Sequence, residues 1–356
     1  MLTYWFLFGT AAWMAVNRSP LEGRPSGRWP DLWRVMFVLL VLIVGLRHEV
    51  GADWSLYAEY VERARYETFL STVWASDPAY GLLNWLAART GLGLYFVNTV
   101  CAAIFSWGLI EFCRAQPRPW LAMTVAIPYL VIVVAMGYTR QGTAIGLGML
   151  GLVALSERRL LRFMVFVALA ATFHKSAVIL MPLAVLAGTR YRLWTTVWVG
   201  VASLIFYDFL LQGSVESLRI NYIDAQYLSK GAAVRVAMNA VPAIIFLWLR
   251  RKFVMPQSER LFWTWMSVGA LGLVGWLAAS PSSTAVDRVA LYWIPLQLLV
   301  LSRLPEAFES TNRSKRAVAG GVAAYSAAVQ FVWLAFGVHA QYWVPYKSYL
   351  WLALWK

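Results

Sequence analysis

The sequence predicts an all-α protein, a polytopic integral membrane helical bundle of about 12 transmembrane helices. Three observations carry this expectation. Hydrophobic residues make up 60% of the 356, charged residues only 13%, and the mean hydropathy is +0.60. A soluble chain carries about a quarter charged residues, so the apolar surplus here has to meet lipid. The apolar runs are roughly 14 to 20 residues long without strict alternation, which suits helices and not barrel strands. The net charge of +14 sits largely in short loops between those runs. That is the footprint of the positive-inside rule and not of a nucleic-acid surface.

The whole chain, 1–356, reads as a single transmembrane domain. Residues 1–16 are apolar from the start and lack a basic leader and a small-residue cleavage site, so 2–16 is expected as a retained first helix. The loop with Arg18, Arg24, Arg28 and Arg34 is placed inside. The second span, 33–46, delivers Arg47-His48-Glu49-Val50-Gly51-Ala52-Asp53-Trp54-Ser55-Leu56-Tyr57 to the outer face. Residues 58–79 are amphipathic and mixed in charge, and read as an outer-surface helix pair. Residues 82–88 are too short to span and read as re-entrant or as the start of the next helix.

Further spans are expected at 94–112, 120–137, 142–155, 160–173, 177–187 and 193–211. After an outer loop, 212–235, with Tyr222, Asp224, Tyr227 and Lys230, the last spans are 236–249, 261–279, 289–301 and 317–338. The tail, 339–356, is rich in Trp and Tyr and is expected in the interface belt. Cys101 and Cys113 share one helix, roughly 18 Å apart at about 1.5 Å per residue, too far to bridge. Gly142, Gly146 and Gly148 suit close helix packing.

On this map Arg47, Asp53, Arg140, His174 and Arg288 all fall on the outer side. Ionisable residues at a membrane boundary are costly to place and are functional candidates by default. Arginine is a fixed cation whose planar fork binds phosphate bidentately, so Arg47, Arg140 and Arg288 suit a diphosphate. Asp53, Glu49, His48 and His174 can handle a proton. Together these residues suit group transfer from a lipid-diphosphate donor, with the arginines stabilising the departing charge. The three histidines, His48, His174 and His339, have no metal-ligand spacing, and no metal or other cofactor is expected. Each residue also has a plainer role. The arginines suit snorkelling topology anchors, Asp53 a salt-bridge partner for Arg47, His174 a helix C-cap, and Tyr57 and Tyr80 interface residues.

Arg47, Gly51, Asp53 and Tyr57, then Tyr80 and Asn84, then Arg140-Gln141, then Phe173-His174-Lys175-Ser176 follow one another in an order that resembles the EpsG family of Wzy-like polysaccharide polymerases. Asp287-Arg288 with Tyr292, and Trp343-Val344-Pro345-Tyr346, suit the same pattern. The sequence departs from it at Asp77-Pro78, where a glutamate is expected nearby, so no catalytic role is assigned to that segment. The resemblance implies a GT-C-like bundle in the bacterial inner membrane. Its donor and acceptor would be undecaprenyl-diphosphate-linked oligosaccharides, joined at the periplasmic (outer) face. It also implies membrane lipid around the bundle, and a chain-length regulator and a flippase as candidate partners.

On that reading Arg47, Arg140 and Arg288 contact the diphosphate. Gln141, Tyr57, Tyr80 and Tyr292 orient sugar or phosphate oxygens. Asp53 and His174 are the two base candidates. His174 ranks ahead because a carboxylate close to Arg47 has its pKa lowered and is a weaker base. Two other activities compete: an O-antigen ligase-type glycosyltransferase, which carries a larger late outer loop, and a polysaccharide transporter or flippase, which shows internal repeats and broken helices. A membrane acyltransferase fits less well, because the polar residues point outward and away from a cytoplasmic acyl donor.

Overall fold

The computed structural model describes residues 1–18, 27–75, 77–186, 229, 231–280, 282–308 and 311–354, together with Val197, Gly200 and Val201. Most of the eighth expected span, 193–211, and residues 212–228 and 230 of the expected outer loop lie outside the described residues. Among the described residues every regular element is helical, and pairing of extended backbone is limited to one bridge between Arg47 and Ser348.

Among the described residues five helices are long and apolar enough to cross a membrane: α6 (Gly93–Arg114), α11 (Ala232–Leu249), α12 (Gln257–Ala279), α13 (Ser283–Phe308) and α14 (Asn312–Phe336). Shorter apolar helical stretches are α7 (Pro119–Ala135), α9 (Leu160–Phe173) and Lys175–Val185, the last overlapping α10 (Pro182–Leu186). Helices α1 (Leu2–Asn17), α2 (Asp31–Gly45) and α8 (Thr139–Ser156) complete the bundle. These bounds follow the apolar runs. Proline opens α7 at Pro119, where a missing N–H costs nothing. Pro242 sits inside α11, a position membrane helices tolerate. The second half of α7, Ile127–Ala135, is a π-helix.

Helices α6 and α8 form the tightest seam. A Cβ on Gly108 would lie 1.9 Å from the Gly146 carbonyl oxygen, and one on Gly146 would lie 2.6 Å from the Phe105 Cα. Small residues let helix backbones approach this closely in lipid. Cys101 and Cys113 are buried and unbridged on α6.

The connections alternate, so one end of the bundle gathers the end of α2, the start of α6, the end of α7, the start of α8, the end of α9 and the starts of α11 and α13. The expected surface pair appears at this end as α3 (Trp54–Arg63) and α4 (Phe69–Trp74). Residues 82–88 belong to α5 (Pro78–Thr90), a helix packed against α6 and α9. At the opposite end Arg303 pairs with Glu259 at 3.1 Å, Arg118 with Glu306 at 3.0 Å and Arg114 with Glu111 at 3.4 Å.

The tail corrects its expected place. Trp343 is 2% exposed; its indole donates to the Ile132 carbonyl at 2.6 Å and its own carbonyl accepts from Tyr4 at 2.8 Å. Gly51 N–H donates to Tyr342, His48 N–H to Lys347 and Tyr349 N–H to Leu46. The loop after α2 leaves the helix with unpaired backbone groups that lipid cannot satisfy. The tail supplies their partners, so residues 342–349 form a strap and only the last helix, α15 (Tyr349–Leu354), turns Trp351 outward.

The α6/α8 seam makes a direct prediction. Gly108→Ala should cost about 1–3 kcal/mol or more by overpacking, lowering the thermal midpoint in detergent. Gly272→Ala, with nothing within 4 Å of the added carbon, should leave that midpoint unchanged or raise it.

Candidate functional site

Arg47 follows the last turn of α2 and its side chain turns inward, leaving it 1% exposed. Its Nε donates to the Val50 carbonyl at 3.2 Å and one terminal nitrogen to the Val44 carbonyl. The other donates to Asn98 Oδ1 at 3.2 Å and Thr139 Oγ1 at 2.7 Å. Four of its five N–H groups are therefore engaged with α2, the following loop, α6 and α8. The loop closes over it at Gly51, where φ is +103° and a Cβ would meet the Met136 carbonyl oxygen at 2.4 Å. Only glycine fits there. The structure thus seals Arg47 beneath the site, where the sequence places it as a phosphate contact.

Arg140, in the first turn of α8, points into the site. It donates to Asp77 Oδ2 at 2.9 Å and lies over the rings of Tyr60 and Tyr80 at 5.6 and 5.8 Å. His174 caps the end of α9 with its Nδ1 3.8 Å from the same Asp77 oxygen. The other Asp77 oxygen accepts from the Lys175 backbone N–H at 3.2 Å. Asp77, in the turn between α4 and α5, therefore joins α8 to the α9 end. It is the residue that sequence reasoning set aside. The available signal was an acid directly ahead of a proline between two apolar stretches, the helix-start position that α5 uses.

Arg288 arrives from α13. Its guanidinium lies 4.4 Å from the Tyr138 ring centroid, and its carbonyl accepts from Gln141 Nε2 at 2.6 Å. Among the described residues it has no carboxylate within ion-pair distance. Its neighbour Asp287 is 3% exposed and pairs with Arg235, which also donates to Tyr129 and Tyr138. Arg235, at the edge of the expected loop 212–235, lies in the first turn of α11 and braces the ring on which Arg288 rests. Tyr292 accepts from Ser176 at 3.1 Å, joining α13 to the segment after His174. Tyr57 and Tyr80 pack at 5.7 Å, both buried.

The charges converge on one space. Burial pushes the Asp53 carboxyl up, against the opposing charges of Arg288, Arg140 and His339. This reverses the expected direction, because Arg47 is turned toward Asn98 and Thr139. Burial pushes the His174 imidazole down; Asp77 opposes that, and Arg140 and Arg288 add to it. Burial also disfavours charge on Asp77, yet His174, Arg140 and the Lys175 N–H together hold its carboxyl below the usual range. Tyr57 is pushed up to about 12, first by burial and then by Asp53. The lowered proton affinity favours the neutral imidazole, and with Nδ1 toward the Asp77 carboxylate it is Nε2 that is left to accept a proton. Arg288, Arg140, His174 and Asp53 share this space, while His48 lies aside on Tyr95 at 2.6 Å. No group of three or more His, Cys, Asp or Glu among the described residues is arranged to hold a metal ion.

A helical membrane protein with a polar, arginine-lined site gathered at one end of its bundle is the class these features define. The sequence model of the EpsG family matches residues 32–348, and the chain belongs to that family. Membership suggests a polysaccharide-polymerase-like membrane protein. Neither the curated proteins nor the solved structures contain a match to the chain.

The Asp77–His174 contact predicts a titration. Asp77→Asn removes the group that favours the imidazolium, so the His174 midpoint should fall further below the ordinary histidine value. NMR of histidine-labelled protein in nanodiscs reads this directly.

Proposed function

We propose that this protein is a polysaccharide polymerase that joins undecaprenyl-diphosphate-linked oligosaccharide repeat units by glycosyl transfer. The observation that carries the reading is the convergence of Arg140, Asp77 and His174 with Arg288 at one end of a bundle that belongs to the EpsG family. In this reaction the acceptor hydroxyl oxygen attacks the anomeric carbon of the donor glycan. The bond from that carbon to the diphosphate oxygen breaks, and its electron pair leaves with undecaprenyl diphosphate. The acceptor proton goes to His174 Nε2, while Asp77 faces Nδ1 and favours the imidazolium that forms.

Arg288, with no carboxylate partner among the described residues, is the principal contact for the departing diphosphate, and Arg140 lends its charge from the Asp77 pair. Asp53, with its carboxyl pushed up by burial, is the alternative base and stands on the same side. Tyr57, Tyr80, Gln141 and Tyr292 shape the walls. Arg47 acts as a positioning residue, holding the floor. The basic residues concentrated at the opposite end support an inner-membrane orientation with the site facing the periplasm. A GT-C-like bundle of about 12 spans is the architecture this reading implies.

A test in cells follows. In a strain lacking the gene, single repeat units should accumulate and the wild-type gene should restore long chains. His174→Ala should lower polymerisation by about 10²–10⁴-fold and Arg288→Ala by about 10²–10³-fold, both at normal protein level. Long chains that persist on the carrier lipid in the null strain would point to a ligase instead. Glycan retained on the inner face would point to export.

A further inference from the structure

The hairpin of α4 and α5 has two unlike faces. Inward, α5 presents Tyr80 and Asn84, both buried, and the turn before it carries Asp77 to Arg140 and His174. Tyr80 and Asn84 are four residues apart and share one side of the helix. Outward, the hairpin exposes Leu70 at 66%, Trp74 at 49% and Leu82 at 39%, with Phe69 beside them. Contiguous large apolar residues on an exposed surface mark a contact with something apolar.

The hairpin is a built unit. Thr68 caps α4 by accepting from Ser71 N–H, and Phe69 packs edge-on to Trp85 at 5.2 Å. Gly81 lets the two helices touch, since a Cβ there would meet the Thr72 carbonyl oxygen at 2.6 Å. Arg89 donates to the Glu67 carbonyl and lies over Trp85. The unit packs against α6 through α5, with only Gly91 and Leu92 between the two helices. Trp and Arg at its rim are the residue types of a membrane interface.

We propose that this outward face of the α4–α5 hairpin takes the polyprenyl tail of the lipid-diphosphate substrate, making the hairpin the lipid-facing wall of the site. The inference rests on the lipid-diphosphate reading of that site. A diphosphate held at Arg140 and Arg288 needs its tail to leave sideways into the leaflet. The hairpin supplies Asp77 on one side and an apolar surface on the other, and α4 is only six residues long. A tail crossing this edge from the cluster that Asp77 joins therefore meets Leu70, Trp74 and Leu82 on the hairpin's other face.

The test reads binding and not turnover, so it stands apart from whether the protein polymerises. Both native cysteines are buried, so Leu70→Cys can be labelled selectively with a fluorophore in nanodiscs. Val268→Cys on α12, also exposed, serves as the remote control. A polyprenyl diphosphate carrying a nitroxide on its tail should quench the label at 70 saturably, and unlabelled polyprenyl diphosphate should reverse it. The label at 268 should show only unsaturable background. Leu70→Asp with Leu82→Asp should weaken polyprenyl diphosphate binding roughly tenfold and leave inorganic diphosphate binding unchanged.

Equal, uncompeted quenching at both positions would mean bulk lipid only and would overturn the proposal. Quenching by aqueous iodide would mean a water-facing surface and overturn it too. A label reached by neither probe would mean that protein covers the face, with the same consequence.

Discussion

The site depends on one buried cation. Arg47 has left water entirely, and its guanidinium is held by two backbone carbonyls, an amide and a hydroxyl. A buried charge of this kind is tolerated only when its donors are nearly all met, and leaving it unpaired costs several kcal/mol. Those acceptors come from α2, the loop after it, α6 and α8, so satisfying the charge requires all four to be in register. The loop that covers it is in turn stitched to the strap at residues 342–349. One arginine thereby couples the N-terminal helices, the middle of the bundle and the tail.

What stands on this floor is an arrangement of charge that no single element supplies. Arg140 and Arg288 come from different helices, Asp77 from a turn and His174 from a helix end. Bringing two guanidinium groups near a neutral imidazole lowers the proton affinity of the imidazole, while the carboxylate behind it restores some. The balance favours the neutral imidazole and leaves two guanidinium groups beside it. Arg235 plays the bracing part on the far side, pairing with Asp287 and donating to Tyr129 and Tyr138. That leaves the Tyr138 ring as a fixed plate under Arg288.

Much of the helical class was legible because composition and run length leave a lipid-embedded chain few alternatives. That Arg140, His174 and Arg288 stand at one end of the bundle was legible too, since each lies at the end of an apolar run. Three things were not. Whether Arg47 turned outward or inward depended on Asn98 and Thr139, which lie 51 and 92 residues away in sequence. Asp77 looked like a deviation because its partners Arg140 and His174 are reached only through the tertiary fold. The aromatic tail resembled an interface belt by composition, but the backbone groups it pairs are visible only once the loop at 46–51 is built. Each miss concerns the partner of a polar group, which periodicity does not encode.

The most direct test of the account is a reconstitution with the purified protein in liposomes and a defined undecaprenyl-diphosphate-linked repeat unit as both donor and acceptor. The account predicts lipid-linked glycans of two or more units, with one undecaprenyl diphosphate released for each new linkage, and both products lost when His174 is replaced by alanine in folded protein. Movement of the glycan across the bilayer without any released undecaprenyl diphosphate would contradict it.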